Sequence, residues 1–171
     1  KPVISGLSKK INGKVKIMNK SSNSFLGKIN DFKATLIFEN GDVRIQNASA
    51  KFPNGTEIDL KISLNDVKND PFASFTLNFK SSESKKFFRK FELYNLDKKQ
   101  MSIFANGVIN LNERKIKFKN IIKNNNEKIN KSDLMTIEKK FNENVIDKNI
   151  LDVMDFFKLK KFAKEISYPD N

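Results

Sequence analysis

The side chains that could do chemistry in this chain are lysines, serines, asparagines and carboxylates, because its 171 residues include no histidine and no cysteine. That composition excludes disulfide frameworks, Cys/His zinc sites, and nucleophile systems in which a histidine activates serine or cysteine. A serine–lysine pair stays open, since both residue types are abundant, but no surrounding motif supports one. We therefore expect no catalytic residue, no metal site and no cofactor, and we predict that the protein is not an enzyme.

Positive charge is the other chemical resource, with 33 Lys and Arg against 20 Asp and Glu. The excess is uneven, because residues 1–30 hold seven lysines and no acid. A basic chain with 16 phenylalanines could hold single-stranded nucleic acid by combining cations with stacked rings. However, nearly all strand phenylalanines fall on the apolar side of the alternation, and arginine stands only at positions 44, 89 and 114. A nucleic-acid-binding domain is thus an alternative that the sequence disfavours.

Strict alternation of apolar and polar residues dominates the chain between residues 14 and 120. In TEIDLKISL, Ile58, Leu60, Ile62 and Leu64 alternate with polar residues, which places all four on one face of a strand. The segments ATLIFE, DVRIQ and SFTLNFK repeat this period of two. Strands that are apolar on one face only are typical of antiparallel sheets.

Turn residues separate these strands. Asn40-Gly41 and Asn54-Gly55 supply the positive backbone angles that tight hairpin loops require. A later hairpin, between QMSIFANGVINLN and KIKFKNI, turns either at residues 112–115 or at Asn106-Gly107. Unbroken alternation through residues 101–111 favours the first, with Gly107 inside the strand or at a bulge.

Helical spacing appears in two regions. SESKKFFRKFEL predicts a short helix near residues 82–92 with Ser82 as its N-cap. The C-terminal region predicts one helix from about Ser132 and another over about 147–166, which has an apolar stripe and a lysine-rich end. The last helix would either lie on a membrane surface or pack on the sheet and cap it, and we favour capping.

These patterns predict a mainly β fold with a few helices. We expect a curved, largely antiparallel sheet that forms a groove over residues 1–131, including the short helix, and C-terminal helices over 132–171 that cap it. A purely structural β-sandwich without a ligand is the alternative architecture. Because the chain starts at Lys1 without a signal pattern, we interpret it as one domain of a longer protein.

The order of these segments resembles that of the AsmA-like proteins, the family of bacterial envelope proteins that includes AsmA, TamB and YhdP. The resemblance covers about residues 25–166 and rests on loose motifs: strand alternation, Asn-Gly turns and the F-x-N-G pattern. Its main elements are ATLIFENGDVRIQNASAKFPNGTEIDLKISL, a Phe-rich strand, a short Phe helix, FANGVINLNERKIKFKNI and the closing NENVIDKNILDVMDFFKLKKFAKEI.

This resemblance implies a groove-shaped sheet in the bacterial periplasm, attached to the inner membrane through an anchor outside this chain. It also implies phospholipid as the ligand, conducted toward the outer membrane with its acyl chains shielded by the groove, while protein partners stay unknown. By the same resemblance, the groove would be lined by apolar side chains that make non-directional contacts: Leu36, Phe38, Val43, Ile45, Ile58, Leu60, Ile62, Leu64, Phe75, Leu77 and Phe79.

Overall fold

The structure, a computed structural model, describes residues 11–24, 26–39, 42–67, 70–94, 99–124, 126–146 and 155–167. Within this part of the chain there are ten strands and three α-helices. Eight of the strands form one large sheet in which every neighbouring pair is antiparallel. The prediction of a mainly β, antiparallel fold with a few helices is therefore confirmed.

The strands are β1 (Gly13–Asn19), β2 (Ser22–Ser24), β3 (Gly27–Ile29), β4 (Asp31–Glu39), β5 (Asp42–Lys51), β6 (Thr56–Val67), β7 (Asp70–Ser81), β8 (Met101–Asn110), β9 (Lys115–Lys123) and β10 (Glu127–Lys128). Their order in the large sheet is β1-β4-β5-β6-β7-β8-β9-β10. From β4 onward each strand pairs with the next one in the chain, and the separate hairpin β2–β3 connects β1 to β4.

Strand register brings the apolar residues of successive strands side by side. Ile45 pairs with Ile62, and Ile62 pairs with Phe75. Because directly paired residues point to the same side of a sheet, these alternating positions form one apolar face. We call it the inner face, since it faces the helices, and the opposite side the outer face.

The turns follow the Asn-Gly signals where the structure describes them. Gly55, between β5 and β6, has φ +69°, a conformation that glycine adopts without strain. Asn40 and Gly41 lie outside the described residues, although Glu39 and Asp42 on either side of them are paired. The later hairpin turns after Asn110, whose Oδ1 accepts hydrogen bonds from the backbone N–H groups of Asn112 and Glu113 at 2.9 and 2.8 Å. The alternative turn at Asn106-Gly107 is wrong.

Gly107 instead lies inside β8, opposite a bulge in β9 where the pairing shifts between Asn106 and Gly107. A Cβ at this position would lie 2.2 Å from the backbone O of Lys117 and 2.8 Å from the ring of Phe75. A side chain would thus displace both the bulge and the ring. A second irregularity, in β5, lies between Ile45 and Ala48, and bulges of this kind bend and twist the strands that contain them.

The helices are α1 (Ser84–Phe88), which continues into a 3-10 turn (Arg89–Phe91), α2 (Lys131–Asn144) and α3 (Phe156–Ser167). The N-cap of α1 is Glu83, without a side-chain cap bond, so the prediction of Ser82 as the cap is wrong. At α2 the Asn130 side chain accepts the N–H of Asp133 at 2.8 Å, a regular N-cap. The described part of the predicted 147–166 helix begins at residue 156, and residues 147–154 lie outside the described chain.

Two buried clusters join these helices to the inner face. The first contains Phe52, Phe79, Phe87, Phe91 and Leu93, and the second contains Phe75, Ile116, Val145 and Ile146. Helix α3 packs on both clusters through Leu159. The clusters therefore place α1, the end of α2 and α3 over the side of the sheet formed by β6 to β9.

Candidate functional site: the inner face of the sheet

Register places the predicted groove residues on one face, the inner face. Leu36 pairs with Ile45, and Phe38 pairs with Val43. Farther across the sheet, Ile58 pairs with Phe79 and Leu60 pairs with Leu77. The alternation thus identified a single continuous surface of four strands, although the side chain of Val43 lies outside what the structure describes.

Part of this surface is covered by the helices. Phe75 and Phe79 are only 8% and 7% exposed, and they belong to the two buried clusters. Ile58 and Ile62 pack against the same clusters. These four side chains are core residues between sheet and helices. We call the region of β6 to β9 the covered half of the inner face.

The side of the inner face formed by β1, β4 and β5 is different. Leu36, Phe38 and Ile45 are partly exposed, and among the described contacts they belong to neither buried cluster. Next to them on β1, Val15 and Ile17 are 46% and 43% exposed. We call these five residues the open strip. Leu60, Leu64 and Leu77, on β6 and β7, belong to the covered half and are partly buried.

Val15 and Ile17 are functional candidates that the sequence analysis did not include. Val15 pairs with Leu36 and Ile17 pairs with Ala34, so both point to the inner face. The alternation of Val15 and Ile17 with lysines was the available signal. The pattern predicts the strand but not its position beside β4, because β1 and β4 are separated by the β2–β3 hairpin.

A cluster of charges joins α3 to the 3-10 turn. Glu92 lies at the end of that turn with φ +60°, and its carboxylate accepts hydrogen bonds from the ammonium groups of Lys160 and Lys164. These hydrogen bonds lower the pKa of Glu92 to about 2. The contact holds the helix across the covered half, so its role is structural.

The polar regions of the described chain offer no second site of comparable definition. A cavity of about 650 Å³ is an open depression near Gly55, Lys80 and Gln100, and no residue of the open strip lines it. No group of three or more metal-ligating side chains occurs among the described residues. Of the helices that the structure describes, none is long and apolar enough to span a membrane.

Aromatic exposure is low for a protein that would stack bases. Of the described aromatic side chains, only Phe157 and Tyr94 are exposed, at 78% and 67%. Several others make edge-to-face or tilted contacts with one another, such as Phe75 with Phe118 and Phe79 with Phe87. The rings are used mainly for packing between the sheet and the helices.

Comparison of the chain with protein-family models, with curated proteins and with solved structures finds no match.

Proposed function

We propose that this chain binds phospholipid on the inner face of its sheet, as a segment of an AsmA-like protein in the periplasm of a bacterial envelope. The observation that supports the proposal best is the open strip. Apolar side chains continue across the sheet beyond the helix-covered core and end at β1, where Val15 and Ile17 are nearly half exposed. Contact with an acyl chain would remove that apolar surface from water, at roughly 25 cal/mol per Å².

In this proposal the covered half supplies the rigid support and the open strip supplies the contact with lipid. Leu36 and Ile45 would touch the acyl chain through non-directional apolar contacts, and no catalytic group takes part. In the same proposal, the membrane anchor lies in a part of the protein outside this chain. The resemblance in segment order to AsmA-like proteins supplies the ligand class and the location.

A nucleic-acid-binding domain is the weaker alternative. Its binding would need exposed aromatic rings beside cations, and the described phenylalanines are, Phe157 apart, buried or partly buried. Its affinity would also fall steeply with salt, whereas apolar contact with lipid would survive a high-salt wash.

The direct test is mass spectrometry of an organic extract of the purified chain after a high-salt wash. We expect stoichiometric phospholipid with the wild-type chain and its loss in Leu36→Asp, which places a charge on the open strip. The matched control is Thr35→Asp, which adds the same charge to the outer face of the same strand, since Thr35 pairs with Lys16.

Ile17→Asp provides a second variant at a position that is 43% exposed, where a carboxylate is compatible with folding. Lipid should be lost there as well, with the far-UV circular dichroism spectrum unchanged. Lipid-free wild-type protein, or equal lipid loss in Leu36→Asp and Thr35→Asp, would contradict the proposal.

A further inference from the structure

The two edges of the large sheet differ in how their backbone hydrogen-bonding groups are covered. At the β9 edge, side chains of α2 take the hydrogen bonds that a neighbouring strand would otherwise make. The Oδ1 of Asn142 accepts the N–H of Ile116 at 2.8 Å, and its Nδ2 donates to the carbonyl of the same residue at 2.9 Å. The N–H of Phe118 donates to the Glu138 carboxylate at 3.0 Å.

The rest of the β9 edge is covered by backbone. β10 pairs with Ile122 and Lys123, and the N–H of Ile129 donates to the carbonyl of Ile121 at 3.0 Å. This edge is therefore closed to a further strand. Folded proteins commonly protect sheet edges in this manner, because unpaired backbone groups invite pairing with other chains.

The β1 edge has no such cover from the described residues. All seven residues of β1 are exposed, and within the described chain this strand pairs with β4 alone. Its register with β4 runs without a bulge from Gly13 to Asn19, and it contains no proline. In a regular antiparallel pair, half of the backbone N–H and C=O groups of an edge strand point away from the sheet.

The side chains of β1 define what could pair with it. Val15 and Ile17 point to the inner face, whereas Lys14 and Lys16 point to the outer face, opposite Ile37 and Thr35. Met18, which is 74% exposed, follows them on the outer face. Residues 1–30 contain seven lysines and no acid. A strand beside β1 therefore meets apolar side chains on one face and positive charge on the other, and like charges directly opposite each other are unfavourable.

A second copy of β1 is a poor partner on this basis, because antiparallel pairing would bring the lysines of both copies to the same outer face, where they repel each other. The complementary partner alternates acidic and apolar residues, so that carboxylates meet Lys14 and Lys16 while its apolar side chains extend the open strip. We propose that β1 is a strand-addition site for an extended, acidic segment of another protein. The proposal does not require that the inner face binds lipid.

The test uses a fluorescein-labelled peptide of alternating Val and Glu, equal in length to β1, and fluorescence anisotropy with the whole chain. One control peptide alternates Val and Lys, and another has the same Val and Glu content in two blocks. We expect the alternating acidic peptide to bind at least about tenfold more tightly than either control, because only it places charge and apolar side chains on the correct faces. Addition of this peptide should slow hydrogen exchange at the amides of β1.

Charge-swap variants separate edge pairing from general attraction to a basic protein. The double variant Lys14→Glu/Lys16→Glu should prefer the Val and Lys peptide. The control Lys61→Glu/Lys117→Glu makes the same change in net charge away from β1. Lys61 lies in β6, which has a strand on each side, and Lys117 lies in β9, whose free edge is covered. This control should still prefer the Val and Glu peptide, as the wild type does. The proposal would be overturned if the wild-type chain bound neither alternating peptide or bound the block peptide equally well. Equal loss of binding to the Val and Glu peptide in both double variants would also overturn it, as would self-association of the chain through β1.

Discussion

Ile17 and Ala105 lie in one row across the inner face, Ile17 at one end and Ala105 next to the other. The row runs through paired residues of seven strands: Ile17, Ala34, Ala48, Leu60, Leu77, Ala105 and Ile121. Ala105, in the covered half, is 5% exposed, whereas Ile17, in the open strip, is 43% exposed. The same alternation along the chain thus leads to a core at one end of the row and to exposed apolar surface at the other.

The difference in exposure between Ala105 and Ile17 comes from what packs on the sheet at each position. In the covered half, α3 brings apolar residues to both buried clusters and is held by the contacts of Lys160 and Lys164 with Glu92. Neither cluster, among the described residues, includes a side chain of β1. We conclude that helix placement, and not the apolar pattern of the strands, divides the described inner face into a core and an exposed apolar surface.

The largest expected contrast between the two halves is in stability. Phe75→Ala should lower the free energy of unfolding by about 3–5 kcal/mol, because a large cavity replaces a buried ring. Ile17→Ala should lower it by less than about 1 kcal/mol, since much of that side chain is already in water. Urea unfolding of the two variants measures both values, and similar losses would show that the open strip is as well packed as the covered half.

Two glycines, Gly107 in the covered half and Gly13 in β1, should show a smaller difference in stability between the two regions. Gly107→Ala should cost about 1–3 kcal/mol, because the new methyl group would overlap the Lys117 carbonyl and the Phe75 ring. Gly13→Ala should change stability by no more than about 0.5 kcal/mol, since nothing lies within 4 Å of a Cβ at that position in β1. Thermal unfolding checks both, and a Gly107→Ala variant as stable as the wild type would contradict the close packing at the β9 bulge.

The smallest effect concerns the pH dependence of α3 docking. The folded-state pKa of Glu92, about 2, is below its usual value of about 4.3 in an unfolded chain. The carboxylate therefore contributes stability above about pH 4.3 that is lost as the pH falls toward 2. Glu92→Gln should remove that contribution, so urea midpoints of wild type and variant should differ near neutral pH and converge toward pH 2. A difference in urea midpoint that stays constant between neutral pH and pH 2 would contradict this role of the Glu92 carboxylate.

The strands and their common face could be predicted because they depend on local patterns. Ile58 to Leu64 and Phe75 to Phe79 alternate in the sequence, and the register of β6 with β7 follows from burying one face. The glycine in β8 was also placed correctly inside a strand, from the alternation on either side of it. Such signals are local, and they need no knowledge of distant parts of the chain.

The packing of helices on part of the inner face could not be predicted from local patterns. Alternation predicts that Phe75 and Leu36 share a face, but it does not show that, among the described residues, Phe75 belongs to a cluster joined to the helices and Leu36 does not. The contacts of Asn142 and Glu138 with β9 join residues far apart in sequence, and either side chain alone looks like an ordinary polar residue of a helix. The prediction of Ser82 as a cap is wrong because α1 begins after Glu83 without any side-chain cap hydrogen bond, so the local rule for cap residues does not apply there.

The most direct test of the division between the core and the proposed lipid-binding surface uses the lack of native cysteine. Single cysteines at Ile17, at Ala105 and, on the outer face, at Lys16 can be compared by their rates of maleimide alkylation with and without phosphatidylglycerol vesicles. The proposed function predicts fast reaction of Ile17→Cys that lipid slows, slow reaction of Ala105→Cys in both conditions, and fast reaction of Lys16→Cys in both. Equal rates at Ile17→Cys with and without lipid, or equal rates at Ile17→Cys and Ala105→Cys, would contradict the account.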